Sequence, residues 1–123
     1  MKNSDFVHLH VHSMYSLLDG LGSPDAWAER ASDLGFTAMA ITDHGSADAA
    51  IKFQQACDEH NIKAIIGCEA YIVPDILTKE KGEKRYHTTL LVKNATGWKN
   101  LLQLLTKANL KGFYHRPRID PSI

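Results

Sequence analysis

The sequence is poor in cysteine, and the two it has, Cys57 and Cys68, cannot build a disulfide framework. They fit a reducing compartment, and the expectation is a cytoplasmic protein. No apolar run approaches the ~20 residues of a membrane-spanning helix, and no secretory signal pattern opens the chain, so no membrane partner is expected. There is no low-complexity tract, no internal repeat, and no glycine fingerprint of a phosphate-binding P-loop or dinucleotide fold. Net charge is also lacking: 14 basic side chains face 14 acidic ones. What remains is an ordinary soluble composition, 44% hydrophobic over 123 residues, a length suited to one domain.

The neutrality hides an asymmetry. Residues 1–60 hold three basic groups against nine acidic ones, and residues 61–123 hold eleven against five. From Lys99 to Arg118 there are five basic side chains and no acidic one, which makes Lys111, Arg116 and Arg118 candidate contacts for a polyanion such as DNA. Cancellation of the two fields on folding is the alternative.

Strand-like and helix-like segments alternate. Phe6 to His12 reads as a strand with His8, His10 and His12 on one face. Ser23-Pro24-Asp25 opens a helix that Gly35 stops, and Phe36 to Thr42 is a buried-type strand. Ser46 can cap a helix running to about His60, and Lys63 to Val73 is a third strand. Residues 75–85 read as a solvated loop, Tyr86 to Lys93 as a fourth strand, and Thr96 to Leu110 as an amphipathic helix. Arg116 to Pro121 reads as irregular. The sum is an α/β chain, (βα)4 in order, with parallel strands expected.

In parallel α/β sheets, functional groups gather at the C-terminal ends of strands. Here those ends carry His10 and His12, then Asp43 and His44, then Glu69. Side chains two apart on a strand share a face with origins roughly 6–7 Å apart, so His10 and His12 can converge on one ion. His8 sits too far back and is expected behind them, supporting or packing. A solvated strand face is the plain alternative. Asp43 is the candidate catalytic residue beside His44, where it or Asp19 could orient the imidazole. A turn or helix cap would also account for Asp43-His44-Gly45-Ser46. Glu69 interrupts an apolar run, a costly place for a carboxylate unless it is paired, metal-bound or at an exposed strand end. Cys68 and Cys57 read as core. With His87, these mixed nitrogen and oxygen donors suit zinc, manganese or iron better than calcium. Their number implies more than one ion, an arrangement suited to phosphoester hydrolysis. Ser13 and Ser16 make only a weak case as nucleophiles.

His8-Leu9-His10-Val11-His12-Ser13-Met14-Tyr15-Ser16-Leu17-Leu18-Asp19-Gly20 and Ala40-Ile41-Thr42-Asp43-His44-Gly45 together resemble the polymerase-and-histidinol-phosphatase (PHP) family. Ile66-Gly67-Cys68-Glu69-Ala70-Tyr71, His87-Thr88-Thr89-Leu90-Leu91-Val92-Lys93-Asn94, Gly97-Trp98-Lys99-Asn100-Leu101 and Gly112-Phe113-Tyr114-His115-Arg116-Pro117-Arg118-Ile119-Asp120 look like its bacterial branch of replicative DNA polymerase III alpha subunits. The resemblance implies a distorted (βα)7 barrel and a site for up to three zinc or manganese ions. In it His10 and His12 would be the first ligand pair, His44 the next, Glu69 the bridge, and Asp19 and His87 further ligands. It implies 3′–5′ exonuclease-type phosphoesterase chemistry on DNA, with the rest of a polymerase polypeptide and other replisome subunits as partners. A small-molecule phosphatase and a non-catalytic docking module are the alternatives. Residues 1–123 would be the N-terminal portion of such a domain, about half a closed barrel, with weakened metal binding and a tendency to self-associate expected.

Overall fold

The computed structural model describes residues 5–122. The elements are α1 (Pro24–Asp33), β1 (Ala38–Ile41), α2 (Ala50–Glu59), β2 (Lys63–Ile72), β3 (Tyr86–Leu91), α3 (Ala95–Leu110) and β4 (Arg118–Ile119). Helix α1 starts as its sequence demands: the Ser23 side chain accepts from Ala26 N, Pro24 fills the first helical position, and Asp25 lies in the first turn. Asn94 caps α3 by accepting from Gly97 N. Helix α2 begins later than Ser46 and has no side-chain cap; the Ser46 hydroxyl instead accepts from Asp48 N in a local turn.

β2 is the organising strand. Its first half pairs in parallel with β1, Ala38 opposite Lys63 through Ile41 opposite Ile66, with α2 as the crossover. Its second half pairs with β3 on one edge, and with β4 in parallel on the other, Tyr71 opposite Arg118. β1, an isolated bridge from His44 to Glu69, and β4 thus succeed one another along one edge of β2.

Three expectations need correction. β3 runs antiparallel to β2, Gly67 opposite Leu91 through Ile72 opposite Tyr86, so the fourth unit is not a parallel βα repeat. An antiparallel neighbour needs no helical crossover, and residues 73–85 supply only a loop. The chain is a mixed α/β fold, not (βα)4. Residues 6–12 run parallel to β1 but form only a bridge, His8 to Met39. His8 O accepts from Ala40 N and Val11 O from Thr42 N, three residues on one side against two on the other. That extra residue interrupts the ladder as a bulge does. Finally, residues 118–119 form a short strand where irregular structure was expected.

The two cores lie on one face of the sheet. One joins Ala28 and Ala31 of α1 and Phe53, Ala56 and Cys57 of α2 to Met39 and Ile41, with Ala64 and Ile66 packed against it. The other joins Ala70, Ala108 and Ile119, with Ile72, Leu90 and Leu104 against it. Ala64, Ile66, Ala70 and Ile72 share one side of β2, so Glu69 and Tyr71 project from the other, where no helix covers them. No helix among the described residues is long and apolar enough to cross a membrane.

Candidate metal centre

Glu69 stands on that helix-free face, yet its side chain is only 6% exposed because four imidazoles crowd it. Oε2 lies 2.7 Å from His10 Nε2, 2.5 Å from His12 Nε2 and 3.5 Å from His44 Nδ1. Oε1 lies 2.6 Å from His87 Nδ1, which β3 delivers from the position opposite Tyr71, two along from Glu69 on the same face. Asp19 Oδ2 reaches His12 Nδ1 at 2.5 Å and His44 Nε2 at 3.0 Å. Burial raises the Glu69 carboxyl, but hydrogen bonds to His10, His12 and His87 and the charge of His44 outweigh it and bring it down to about 2. Hydrogen bonds from His12 and His44 likewise lower Asp19.

Asp19 reaches the cluster because the turn before it is held from below. Asp43 is buried and its carboxylate accepts from Ser13 N at 2.6 Å, Ser13 Oγ at 2.8 Å and Ser16 Oγ at 2.6 Å. The Ser16 hydroxyl accepts in turn from His44 N, and the Ser16 carbonyl accepts from Asp19 N and Gly20 N. A Cβ on Gly20 would collide with the Ser13 carbonyl, so the turn closes only on glycine. Leu18 takes a left-handed φ of 64°, a strained geometry that the bracing sustains.

This placement corrects one expectation and decides between the two alternatives of another. Asp43 is not a catalytic group at the rim; both its oxygens are committed to the 13–16 turn, and Asp19 is the carboxylate that meets His44. His8 stands apart from the ligands, its ring edge-on to Phe6 at 4.9 Å and Phe36 at 5.1 Å, so it packs rather than supports them. Cys68, on the helix side of β2, is fully buried, and that burial pushes its thiol up to about 12.

The cluster forms three overlapping ligand sets: His10, His12 and Glu69; His12, Asp19 and His44; His44, Glu69 and His87. Its chemistry fits cations. His12 has a carboxylate against each ring nitrogen, which a neutral imidazole with a single N–H cannot satisfy. His44 Nδ1 is buried, faces Glu69 Oε2, and makes no hydrogen bond. A lone pair and carboxylate oxygens aimed at common points are what divalent ions bind.

Of the basic candidates, Lys111 ends α3 exposed and Arg116 is exposed in the loop before β4. Arg118 is a correction: it is fully buried, donating from Nε to Gly112 O, from Nη1 to Thr78 O, from Nη2 to Ile76 O, and pairing with Glu83. A side chain so committed offers nothing to a polyanion. Sequence reasoning passed over Tyr71, whose ring stacks near His44 (5.8 Å, 15°) and meets His87 edge-on (4.9 Å, 88°). Its position two residues beyond Glu69 was the available signal.

Residues 8–123 match the PHP domain family. The chain belongs to that family. This PHP domain is 45% identical over 127 residues to the DNA polymerase III subunit alpha of Treponema pallidum, and 46% identical over 121 residues to that of Borreliella burgdorferi. It is 42% identical over 123 residues to that of Helicobacter pylori. These matches cover 100%, 95% and 99% of the chain but 11%, 10% and 10% of the relatives, so the PHP domain here spans about a tenth of their length. Its fold is similar to a candidate metal-dependent phosphoesterase from Bifidobacterium adolescentis, with a TM-score of 0.58 at 20% identity over 84% of this chain and 34% of that one. An amidohydrolase from Chromobacterium violaceum with bound sulfate gives 0.56 at 20% identity over 82% and 34%.

Proposed function

We propose that this PHP domain is the metal-dependent phosphoesterase centre of a DNA polymerase III alpha-type polypeptide, removing nucleotides from DNA 3′ ends. In this reading residues 1–123 are the N-terminal portion of a distorted (βα)7 barrel. The polypeptide works in the bacterial cytoplasm with other replisome subunits, and Zn or Mn, up to three ions, occupies the cluster. The observation that carries it is the convergence of four imidazoles and two carboxylates in three overlapping sets. Such ions, when bound, act as Lewis acids, lower the pKa of water and balance charge on phosphoryl oxygens.

The residues have distinct tasks. Glu69 Oε2 is the shared oxygen for His10, His12 and His44, while His87 holds Oε1 and so fixes the carboxylate plane. Asp19 ties the His12 and His44 rings together from the exposed side. Asp43 acts through Ser13 and Ser16 to keep Asp19 in reach. His10, Asp19 and His87 are each about half exposed, so the cluster is open to a polymer end.

The test is metal content together with 3′-exonuclease assay of the full-length polypeptide, wild type against His10→Ala/His12→Ala. The double variant should lose at least one ion and about a hundredfold in rate, as ligand loss does in metal sites. Unchanged metal and unchanged activity would remove the catalytic reading. A docking module is the second reading, favoured by Leu17, Leu18 and Leu21, which stand almost wholly exposed on the loop beside the cluster. Wild-type protein that binds no metal would select it.

A further inference from the structure

Four arginines occur in the chain. Arg118 is buried in its ion pair and Arg30 lies in the last turn of α1, which packs against α2 on the helix face of the sheet. The other two precede β3 and β4, the strands that pair with Tyr71 on the two edges of β2. Arg85 lies immediately before β3, two residues ahead of His87. With Tyr114 and His115 it lines a cavity of about 270 Å³ between residues 80–85 and the loop before β4, which Glu80 and Lys81 also border. Arg116 comes along the other edge of β2, the edge His44 bridges and β4 extends. Its neighbour Pro117 packs on the His44–Gly45 turn so closely that a Cβ at Gly45 would stand 2.7 Å from Pro117 Cγ and 3.3 Å from Tyr71 Cε2. Both arginines are exposed, and neither forms an ion pair among the described residues.

We infer that Arg85 and Arg116 form a cationic clamp across Tyr71 from His44 and His87, holding a non-scissile phosphate of a nucleotide chain whose terminal phosphodiester lies at the ligand cluster. The inference rests on the phosphoesterase reading and adds a binding subsite for its substrate. A small phosphomonoester has no second phosphate to place there; a polynucleotide always does. Arg suits the task because its planar fork meets phosphate oxygens in pairs.

The test uses the full-length polypeptide and a short oligothymidylate. Arginines are labelled with phenylglyoxal and quantified peptide by peptide by mass spectrometry, with and without the oligonucleotide. Arg85 and Arg116 should be protected while Arg30 labels at the same rate in both; equal labelling of Arg85 and Arg116 in both would overturn the clamp. In the 3′-exonuclease assay, Arg85→Ala and Arg116→Ala should each raise KM about tenfold and flatten the slope of log(kcat/KM) against log salt by about 0.7, one single-strand phosphate contact. Arg116→Lys should keep the slope, which a merely structural role would not predict. Unaltered KM and slope in both alanine variants would also overturn the clamp. If the wild type hydrolyses nothing, the phosphoesterase reading falls while the labelling, which needs no turnover, still decides whether the clamp holds a phosphate chain.

Discussion

Truncating Arg118 should be among the most damaging single changes in this chain. Its guanidinium is fully buried and donates to three main-chain carbonyls, Gly112 and Thr78 at 2.8 Å and Ile76 at 2.7 Å, while pairing with Glu83. Arg118→Ala strands those acceptors and leaves the Glu83 carboxylate, itself only 11% exposed, without its partner. Breaking one side of a buried pair costs about 3–5 kcal/mol. With a urea m-value of about 2 kcal/mol/M for a chain of this size, the unfolding midpoint should fall by about 1.5–2.5 M. Arg116→Ala, on an exposed neighbour, should stay within about 0.5 kcal/mol of wild type. Glu83→Gln should cost less than Arg118→Ala, because the three carbonyl contacts survive. Should Arg118→Ala not fold, Arg118→Lys still decides, since one ammonium can face Glu83 but cannot span all three carbonyls. An Arg118→Ala midpoint within error of wild type would refute the strut and return Arg118 to the polyanion contacts.

Removing the brace under the metal loop should separate position from chemistry. Asp43→Ala leaves Ser13 N, Ser13 Oγ and Ser16 Oγ without their acceptor; about 3 kcal/mol of stability should be lost and amide exchange over residues 13–20 should quicken, and exchange held at wild-type rates there would contradict the bracing. Burial pushes the thiols of Cys57 and Cys68 up to about 11 and about 12, so neither should react with Ellman's reagent at pH 8 until the chain is denatured; a prompt native reaction would show that the helix side of the sheet is open. Asp120 is lowered from 3.8 by the hydrogen bond from Ile76 N, then by that from Ser122. A depressed carboxyl contributes stability that is present above its unfolded value and lost as pH falls through its folded one, so Asp120→Asn should flatten the acid limb of a stability–pH curve below about pH 4 and leave its shape at neutral pH unchanged.

The gathering of the candidate side chains around Glu69 was legible because its signals are local. His10 and His12 share a face by spacing, Glu69 stands out as a charge in an apolar run, and Asp19 and His44 lie in motif segments that resemble a family. The helix ends at Ser23-Pro24 and Gly35 follow from a cap and a left-handed glycine at φ 78°. The errors arose where pairing at a distance decides. Nothing between residues 73 and 85 states whether the next strand returns parallel or antiparallel. An arginine in a basic run reads as a surface residue until Glu83 and three carbonyls, 35 to 42 positions away for all but Gly112, enclose it. Asp43 beside His44 looked catalytic because adjacency in the chain was taken for adjacency in space; the ring it neighbours is served by Asp19, 25 positions earlier.

Along β2, the side chains that build the cores and those that face the candidate metal centre project from opposite sides: Ala64, Ile66, Ala70 and Ile72 against Glu69 and Tyr71. A slip of a single residue in this strand would therefore carry the carboxylate into the helices and the aliphatics into the imidazoles, losing fold and chemistry at one stroke. Correct registration in folding is checked by the same alternation that gathers the imidazoles around Glu69, and an insertion or deletion within residues 64–72 should be far less tolerated than any substitution there.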